Sequence, residues 1–326
     1  MNEQKKVVLY VVTYNRINFL KLALDSILKQ TYSNFDVYVL DNCSKDETEQ
    51  YVRTLRDKRV KYIRHTKNVG GIKNISYAFE HCEGEYFAIF HDDDILHPNL
   101  LEEEVSYLNN NEICVAVSCL ANNIDEGGNY IKYADEANAH EYVFNGTNFF
   151  ETYIHSQKSL MFPATLYRTD FIKKNRIKMS LDAGPCADVV IFMDIEKCGG
   201  VITEIPKALI DYRIYREQDS SSYLEEMLIQ LMQYLSGEKY YCELLHKDFI
   251  GQKKYFRWYF ERLLVRGASK YITQEEASTY LKRMYNVLDK PVKNIKPYEI
   301  ILKSIFWFSP ITNEFYKLVK RKRLRK

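Results

Sequence analysis

Glycine and proline are scarce, with 12 Gly and 7 Pro in 326 residues, which excludes collagen-like repeats and long disordered segments. Cysteine provides no framework. The seven residues Cys43, Cys82, Cys114, Cys119, Cys186, Cys198 and Cys242 are odd in number, scattered and without a C-x-x-C pair, so neither a disulfide scaffold nor a zinc knuckle is indicated and a reducing compartment is expected. No apolar run reaches the roughly 18 residues of a membrane span, and the opening Val7–Val12 stretch, broken by Thr13 and Asn15, is too short for a signal-peptide core. The G-x-G-x-x-G and P-loop signatures are missing, which removes the common dinucleotide and ATP fingerprints. Acidic residues are absent from Lys317 to Lys326, which carries seven basic ones. The whole chain is +2, so everything before that tail sums to −5, and the split assigns an anionic surface to the tail alone.

What is present is 46% apolar and 28% charged, the balance of a packed globular protein, and a length that suggests two units. Val7–Val12 is a continuous apolar run suited to a strand buried on both faces. Leu20, Leu24, Ile27 and Leu28 then recur at helical spacing. The alternation continues with a strand at Val37–Leu40, a helix to Arg56 whose start carries the Ser44/Glu47 capping-box pattern, a strand at Val60–Arg64, a helix at Ile72–Phe79 and a strand at Tyr86–Phe90. Pro98 marks a further helix start, and Asp188–Cys198 reads as a helix closed by Gly199-Gly200 before a strand that leads into Asp211-Tyr212-Arg213. Such βαβ units predict a Rossmann-like, mostly parallel α/β sheet with helices on both faces, and ligands outside the carboxyl ends of the strands.

That rule gathers four segments on one edge: Thr13-Tyr14-Asn15-Arg16, Asp41-Asn42-Cys43-Ser44, Asn68-Val69-Gly70-Gly71 and His91-Asp92-Asp93-Asp94. Three adjacent carboxylates after a buried strand repel one another, so a countercharge is expected, and oxygen ligands suit Mg²⁺ or Mn²⁺. The competing reading is a solvated acidic turn at a helix start. Asp41 is a carboxylate acceptor for a base or ribose, or else an Asx turn. The glycines before Ile72 suit close approach of backbone to phosphate.

In order and spacing these segments, with Asn74, Glu85-Tyr86, Gly184-Pro185 leading to Asp188, and Tyr212-Arg213 with Ser220-Ser221, resemble family 2 glycosyltransferases of the GT-A fold over residues 5 to 222. The resemblance implies that Thr13 and Asp41 hold uracil and ribose, that Tyr14, Asn15 and Arg16 line that pocket, and that Asn68, Gly70 and Lys73 follow the nucleotide and diphosphate. The family reads Asp-x-Asp-Asp where this chain has His91 first, which leaves Asp92, Asp93 and Asp94 as metal ligands for Mn²⁺ or Mg²⁺, Asp94 paired with Asp92 or Asp93. Asp92 and Asp93 would also face the donor. Asp188 matches the catalytic base, with Asp182 and Asp194 as fallbacks. Tyr215 replaces a frequent His, and Arg213 or Arg216 would supply positive charge to the diphosphate.

The implied activity is an inverting, metal-dependent transfer of a sugar from a nucleoside-diphosphate donor, UDP being favoured, to a hydroxyl of a lipid-linked or other glycan in bacterial surface polysaccharide synthesis. The rivals are a nucleotidyltransferase, which would need a glycine-rich signature near Val11–Asn15, and a non-catalytic nucleotide-sugar-binding module. The expected domains are a catalytic one over 1–216, a helical region over 217–299 and a basic amphipathic tail over 300–326. In the helical region the aromatic stripe is expected to pack onto the catalytic domain. The tail interleaves Ile301, Phe306, Trp307 and Phe308 with lysines, which suits a peripheral site on the inner face of the cell membrane; no nucleic-acid partner is expected.

Overall fold

The computed structural model describes residues 4–215, 224–269 and 271–307; expectations placed on Arg216, Ser220, Ser221, Phe308 and the basic run lie outside them. The chain falls into two compact units. One comprises residues 1–149, 159–181 and 187–218, the other residues 150–158, 182–186 and 219–326.

The first unit opens with the predicted alternation: β1 (Val7–Thr13), α1 (Ile17–Leu28), β2 (Phe35–Asp41), α2 (Thr48–Thr54), β3 (Val60–Arg64), α3 (Gly71–Glu80) and β4 (Tyr86–His91). β1 pairs in parallel with β2 on one side and β4 on the other, and β2 pairs in parallel with β3. Every residue from Val7 to Val11 is buried, as expected of a strand covered on both faces. Leu20, Ala23, Leu24 and Ile27 form the buried stripe of α1.

The strands that follow are β5 (Ile95–Leu96), β6 (Cys114–Ile124), β7 (Tyr130–Lys132), β8 (Tyr142–Phe144), β9 (Leu166–Arg168) and β10 (Val201–Arg213), with helices α4 (Leu100–Asn110), α5 (Asn148–Ser156), α6 (Thr169–Asn175) and α7 (Ala187–Lys197) between them. The sheet runs β3-β2-β1-β4-β9-β6-β10-β5, with β7 on β6 and β8 on β10. Its second half is mixed: β10 and β6 are parallel, whereas β9 pairs antiparallel with both β4 and β6, and β5 antiparallel with β10. Because β1 has β2 on one side and β4 on the other, the chain reverses its direction of travel between β1 and β4, and the crevice opens at their carboxyl ends.

One local expectation is corrected. Ser44 caps no helix: α2 starts at Thr48, and the Asp46 carboxylate accepts from the Thr48 amide and hydroxyl at 3.1 and 2.6 Å. Ser44 is taken by tertiary partners instead, accepting from the Asn15 amide at 2.9 Å while its own amide donates to Asp41 at 2.9 Å.

The second unit is largely helical: α8 (Leu224–Gly237), α9 (Lys239–Lys247), α10 (Phe249–Ala268), α11 (Gln274–Val287) and α12 (Lys296–Trp307). Several of its aromatics are core. Tyr241, Tyr255, Phe256, Tyr259 and Phe260 are buried, with Leu231, Met232 and Leu235 of α8 beside them in the burial pattern. A complete capping box is present here, Thr273 and Glu276 bonding reciprocally at the start of α11. None of the seven cysteines forms a disulfide, and among the described residues no helix is long and apolar enough to cross a membrane.

Candidate active site

The loops at the carboxyl ends of β1 and β2 are knitted together by short side chains. Thr13 is buried and lies in register with Asp41, and its carbonyl accepts from the Asn42 amide at 3.0 Å. Asn15 adopts a left-handed φ of 54°, which asparagine tolerates, and its Oδ1 accepts from the Lys45 amide at 2.7 Å. Asn42 and Asn68 clasp each other: Asn42 Nδ2 donates to Asn68 Oδ1 at 3.0 Å, and Asn42 Oδ1 accepts from the Val69 amide at 2.8 Å. Gly70, at φ 87°, turns the chain into α3 in a conformation that side chains disfavour. Tyr14, Asn15, Asn68, Gly70 and Lys73 are exposed on this rim.

Asp41, expected on the donor, has partners within the protein. It is fully buried, with Oδ1 accepting from the Ser44 amide and Oδ2 from the Tyr62 hydroxyl at 2.5 Å, while Arg64 Nε lies 3.4 Å from Oδ2. Its carboxylate therefore braces the loop that would cradle a nucleotide.

The acidic turn after β4 is buried, with Asp92, Asp93 and Asp94 3%, 5% and 0% exposed. Part of the expected countercharge comes from the protein. Arg16 Nη1 lies 3.4 Å from Asp92 Oδ1 and 3.0 Å from Asp93 Oδ2, and the Tyr215 hydroxyl donates to the same Asp93 oxygen at 2.8 Å. Burial, with Asp93 close by, raises the Tyr215 pKa, so the phenol keeps its proton. Burial pushes the Asp92 carboxyl up to about 7, with Arg16 opposing and Asp93 adding to the rise. Asp94 is held well above the ordinary carboxylate range by burial and then by the Asp93 charge.

Arg213, expected near the diphosphate, is held among protein groups. It is 1% exposed, and its amide donates to Asp94 Oδ1 at 2.8 Å. Its Nε donates to the Asp93 carbonyl at 2.7 Å, and Nη1 to the carbonyls of Asp125 and Glu126 at 3.0 and 2.9 Å. The guanidinium supports the acidic turn from beneath.

A candidate metal site includes His91 with two of the three aspartates. His91, Asp93 and Asp94 can each offer one ligand atom, all within 4.8 Å of one another, whereas Asp92 gives Oδ1 to Arg16, and its Oδ2 is buried without a donor among the described residues. Burial lowers the His91 pKa, which favours the neutral imidazole that metals bind. Asp94 Oδ2 is buried without a hydrogen-bond donor among the described residues. An orphaned buried carboxylate oxygen beside a neutral imidazole and a second carboxylate fits a divalent cation. The sequence signal for His91 was its place in the motif's first acidic position, since imidazole is also a ligand.

Asp188 occupies the first turn of α7, where its Oδ1 accepts from the Val189 amide at 2.8 Å. Partly exposed, its carboxyl is pushed up to about 6 by desolvation, against the backbone hydrogen bonds that lower it. Helix α7 is tied to the acidic turn through rings: Phe192 meets Phe162 at 6.3 Å, and Phe162 meets His91 at 6.3 Å. Of the fallback residues, Asp194 lies farther along α7, and Asp182 is exposed in the other unit.

Residues 9–174 match the model of glycosyl transferase family 2, which is half of the chain. The chain belongs to that family. A curated protein of Haemophilus influenzae, described as an uncharacterized glycosyltransferase, is 26% identical over 226 residues, covering 66% of this chain and 68% of its own; in two longer Rickettsia relatives the match takes up 38% and 17% of their length. Two solved structures share the fold: Staphylococcus aureus TarS 1–349 with UDP-GlcNAc, at a TM-score of 0.66 and 19% identity, covering 93% of this chain and 89% of that one, and the mannosyltransferase PcManGT of Pyrobaculum calidifontis with GDP-Man and Mn²⁺, at 0.55 and 15%, covering 97% and 89%. The fold is thus the GT-A type, followed by a helical region, and the protein is a glycosyltransferase of family 2.

Proposed function

We propose that this glycosyltransferase moves a sugar from a UDP-sugar to a glycan hydroxyl with inversion at the anomeric carbon, and that it needs a divalent metal. The observation that carries this reading is the convergence of His91, Asp93 and Asp94 within 4.8 Å, with Asp94 Oδ2 lacking a donor. Those three residues would hold Mn²⁺ or Mg²⁺, which when bound would offset the negative charge that grows on the departing diphosphate. UDP is preferred because the TarS neighbour, which has the higher TM-score of the two described, holds UDP-GlcNAc.

The remaining chemistry falls to side chains of this chain. The rim of Thr13, Tyr14, Asn15, Asn68, Gly70 and Lys73 would seat the nucleotide, with Arg16 between it and the acidic turn. Asp188 would remove the proton of the acceptor hydroxyl as that oxygen attacks, since a carboxyl pushed up to about 6 is ionised at neutral pH yet more basic than a solvated one. Attack from the face opposite the diphosphate gives inversion. The acceptor is assigned as a lipid-linked glycan of a bacterial surface polysaccharide, reached at the inner membrane face through the basic tail, whose seven cations suit anionic lipid.

The test is UDP release from a panel of UDP-sugars, with Mn²⁺ and then with a chelator. Donor-dependent release that stops on chelation is expected. Release that is indifferent to chelation removes the acidic turn from the mechanism, and no release from any UDP-sugar rejects the donor assignment.

A further inference from the structure

Many of the described aromatics are core, but Tyr130 and Tyr133 are 48% and 65% exposed and stack on each other, ring centroids 4.6 Å apart at 23°. Bare stacked rings in water are held here by several ties. The Tyr130 hydroxyl donates to Asp211 Oδ2 at 3.0 Å, and the other oxygen of Asp211 accepts from Asn122 and faces His97 Nε2 at 2.9 Å. The Ala134 amide, next to Tyr133, donates to Asn122 Oδ1 at 3.0 Å. At the other end of the segment, Arg213 grips the carbonyls of Asp125 and Glu126 with the guanidinium that also holds the Asp93 carbonyl. The tyrosine pair is thus rigidly joined to the acidic turn.

Its position selects the ligand. The turn Asp92–Asp94 leaves β4 and enters β5, which pairs with β10 through Ile95 and Asp211, so it passes across the sheet edge from the β1–β4 side to the β10 side. The nucleotide rim lies on β1 and β2. The tyrosines lie on the hairpin of β6 and β7, with β10 beside it, on the opposite side of the turn. A flat aromatic face rimmed by a fixed hydroxyl suits a pyranose, whose ring has an apolar C–H face and a polar edge. We infer that Tyr130 and Tyr133 form the platform on which a sugar ring of the acceptor glycan stacks. The inference rests on the reading above that the acidic turn is the transfer site.

The probes are methyl β-D-galactopyranoside and methyl β-D-glucopyranoside, followed by saturation-transfer NMR on the full chain, with UDP affinity measured by calorimetry. Tyr133 is exposed, so Tyr133→Ala leaves the core intact. Ring C–H protons of at least one glycoside should receive saturation from the native protein and from Tyr133→Trp, and affinity should fall about tenfold in Tyr133→Ala, the value of losing one stacked ring, while the UDP dissociation constant stays within about twofold. Equal glycoside binding by Tyr133→Ala, no binding of either glycoside to the native protein, or weakened UDP binding in the variant overturns the platform. UDP release by the native protein is scored separately, so failure of the transfer reading is distinguishable from failure of the platform.

Discussion

Asp188→Asn should make the protein more stable and nearly inactive, and the two effects share one cause. Desolvation raises the Asp188 carboxyl from its ordinary 3.8 to about 6, so the folded state resists its ionisation. At 1.36 kcal/mol per pH unit that gap is worth about 3 kcal/mol, which its partial exposure reduces to roughly 1–3 kcal/mol. The sign is fixed by proton binding: between about pH 4 and 6 the folded chain holds a proton that the unfolded chain has released, so stability falls as pH rises through that window and the full cost is present at pH 7. Asparagine keeps the Oδ1 acceptor for the Val189 amide and never ionises.

The assay is thermal or urea unfolding of both proteins at pH 4, 5, 6 and 8, with turnover followed in parallel. The variant's advantage should be near zero at pH 4, grow through pH 5 and 6, and level off above about pH 7. Turnover should drop about 10²- to 10⁴-fold, and native kcat/KM should be about tenfold lower at pH 5 than on its plateau. An advantage that is the same at every pH, or that is absent at pH 8, refutes the desolvation account. Turnover that survives the substitution removes Asp188 as base.

Three further outcomes follow from neighbouring contacts. Arg213→Met leaves three carbonyls and the Asp93–Asp94 pair without their buried cation, and should cost about 3–5 kcal/mol in urea unfolding; an unchanged midpoint would contradict its bracing role. Tyr215→Phe removes a donor from Asp93 and should weaken Mn²⁺ binding about tenfold by calorimetry with little change in stability, whereas unaltered affinity would separate Tyr215 from the metal site. His97 is raised by its hydrogen bond to Asp211, and Asp211 is lowered, desolvation being outweighed by His97 and Asn122. The His97 contribution is therefore complete below about pH 6.5 and fades above it, while that of Asp211 is complete above about pH 4. His97→Gln should cost about 1 kcal/mol between those limits and less at pH 8.

The parallel half of the sheet was legible because β1 to β4 are five to seven residues long and separated by helices with a clear apolar stripe. The other half was not. β5 has two residues and β9 three, too few for any periodicity to register, and their antiparallel pairing depends on partners distant in sequence. Ser44/Glu47 and Thr273/Glu276 follow the same capping-box pattern, yet of the two the second alone caps a helix, because Asn15 and Asp41 compete for Ser44 while Thr273 and Glu276 bond to each other. The acidic turn was found from its charges. That Arg213 lies beneath it rather than over a ligand left no trace in sequence, where a buried arginine and an exposed one are the same letter.

The handling of charge around Asp92–Asp94 explains why Asp94 Oδ2 is informative. Arg16, Tyr215 and the Arg213 amide take up Asp92 Oδ1, Asp93 Oδ2 and Asp94 Oδ1, so the turn is not simply an uncompensated acidic cluster. Had stability been the sole requirement, a fourth donor could have met Asp94 Oδ2, because an unsatisfied buried acceptor costs about 1–3 kcal/mol. Instead that oxygen is left beside Asp93 and a neutral imidazole. A fold that braces one oxygen of each carboxylate and leaves Asp92 Oδ2 and Asp94 Oδ2 without donors among the described residues, the latter beside a neutral imidazole, keeps the turn rigid without a cation while reserving a ligand for one. On this account the apo protein should already hold the turn in place, and the cation should add affinity for the diphosphate rather than order to the loop.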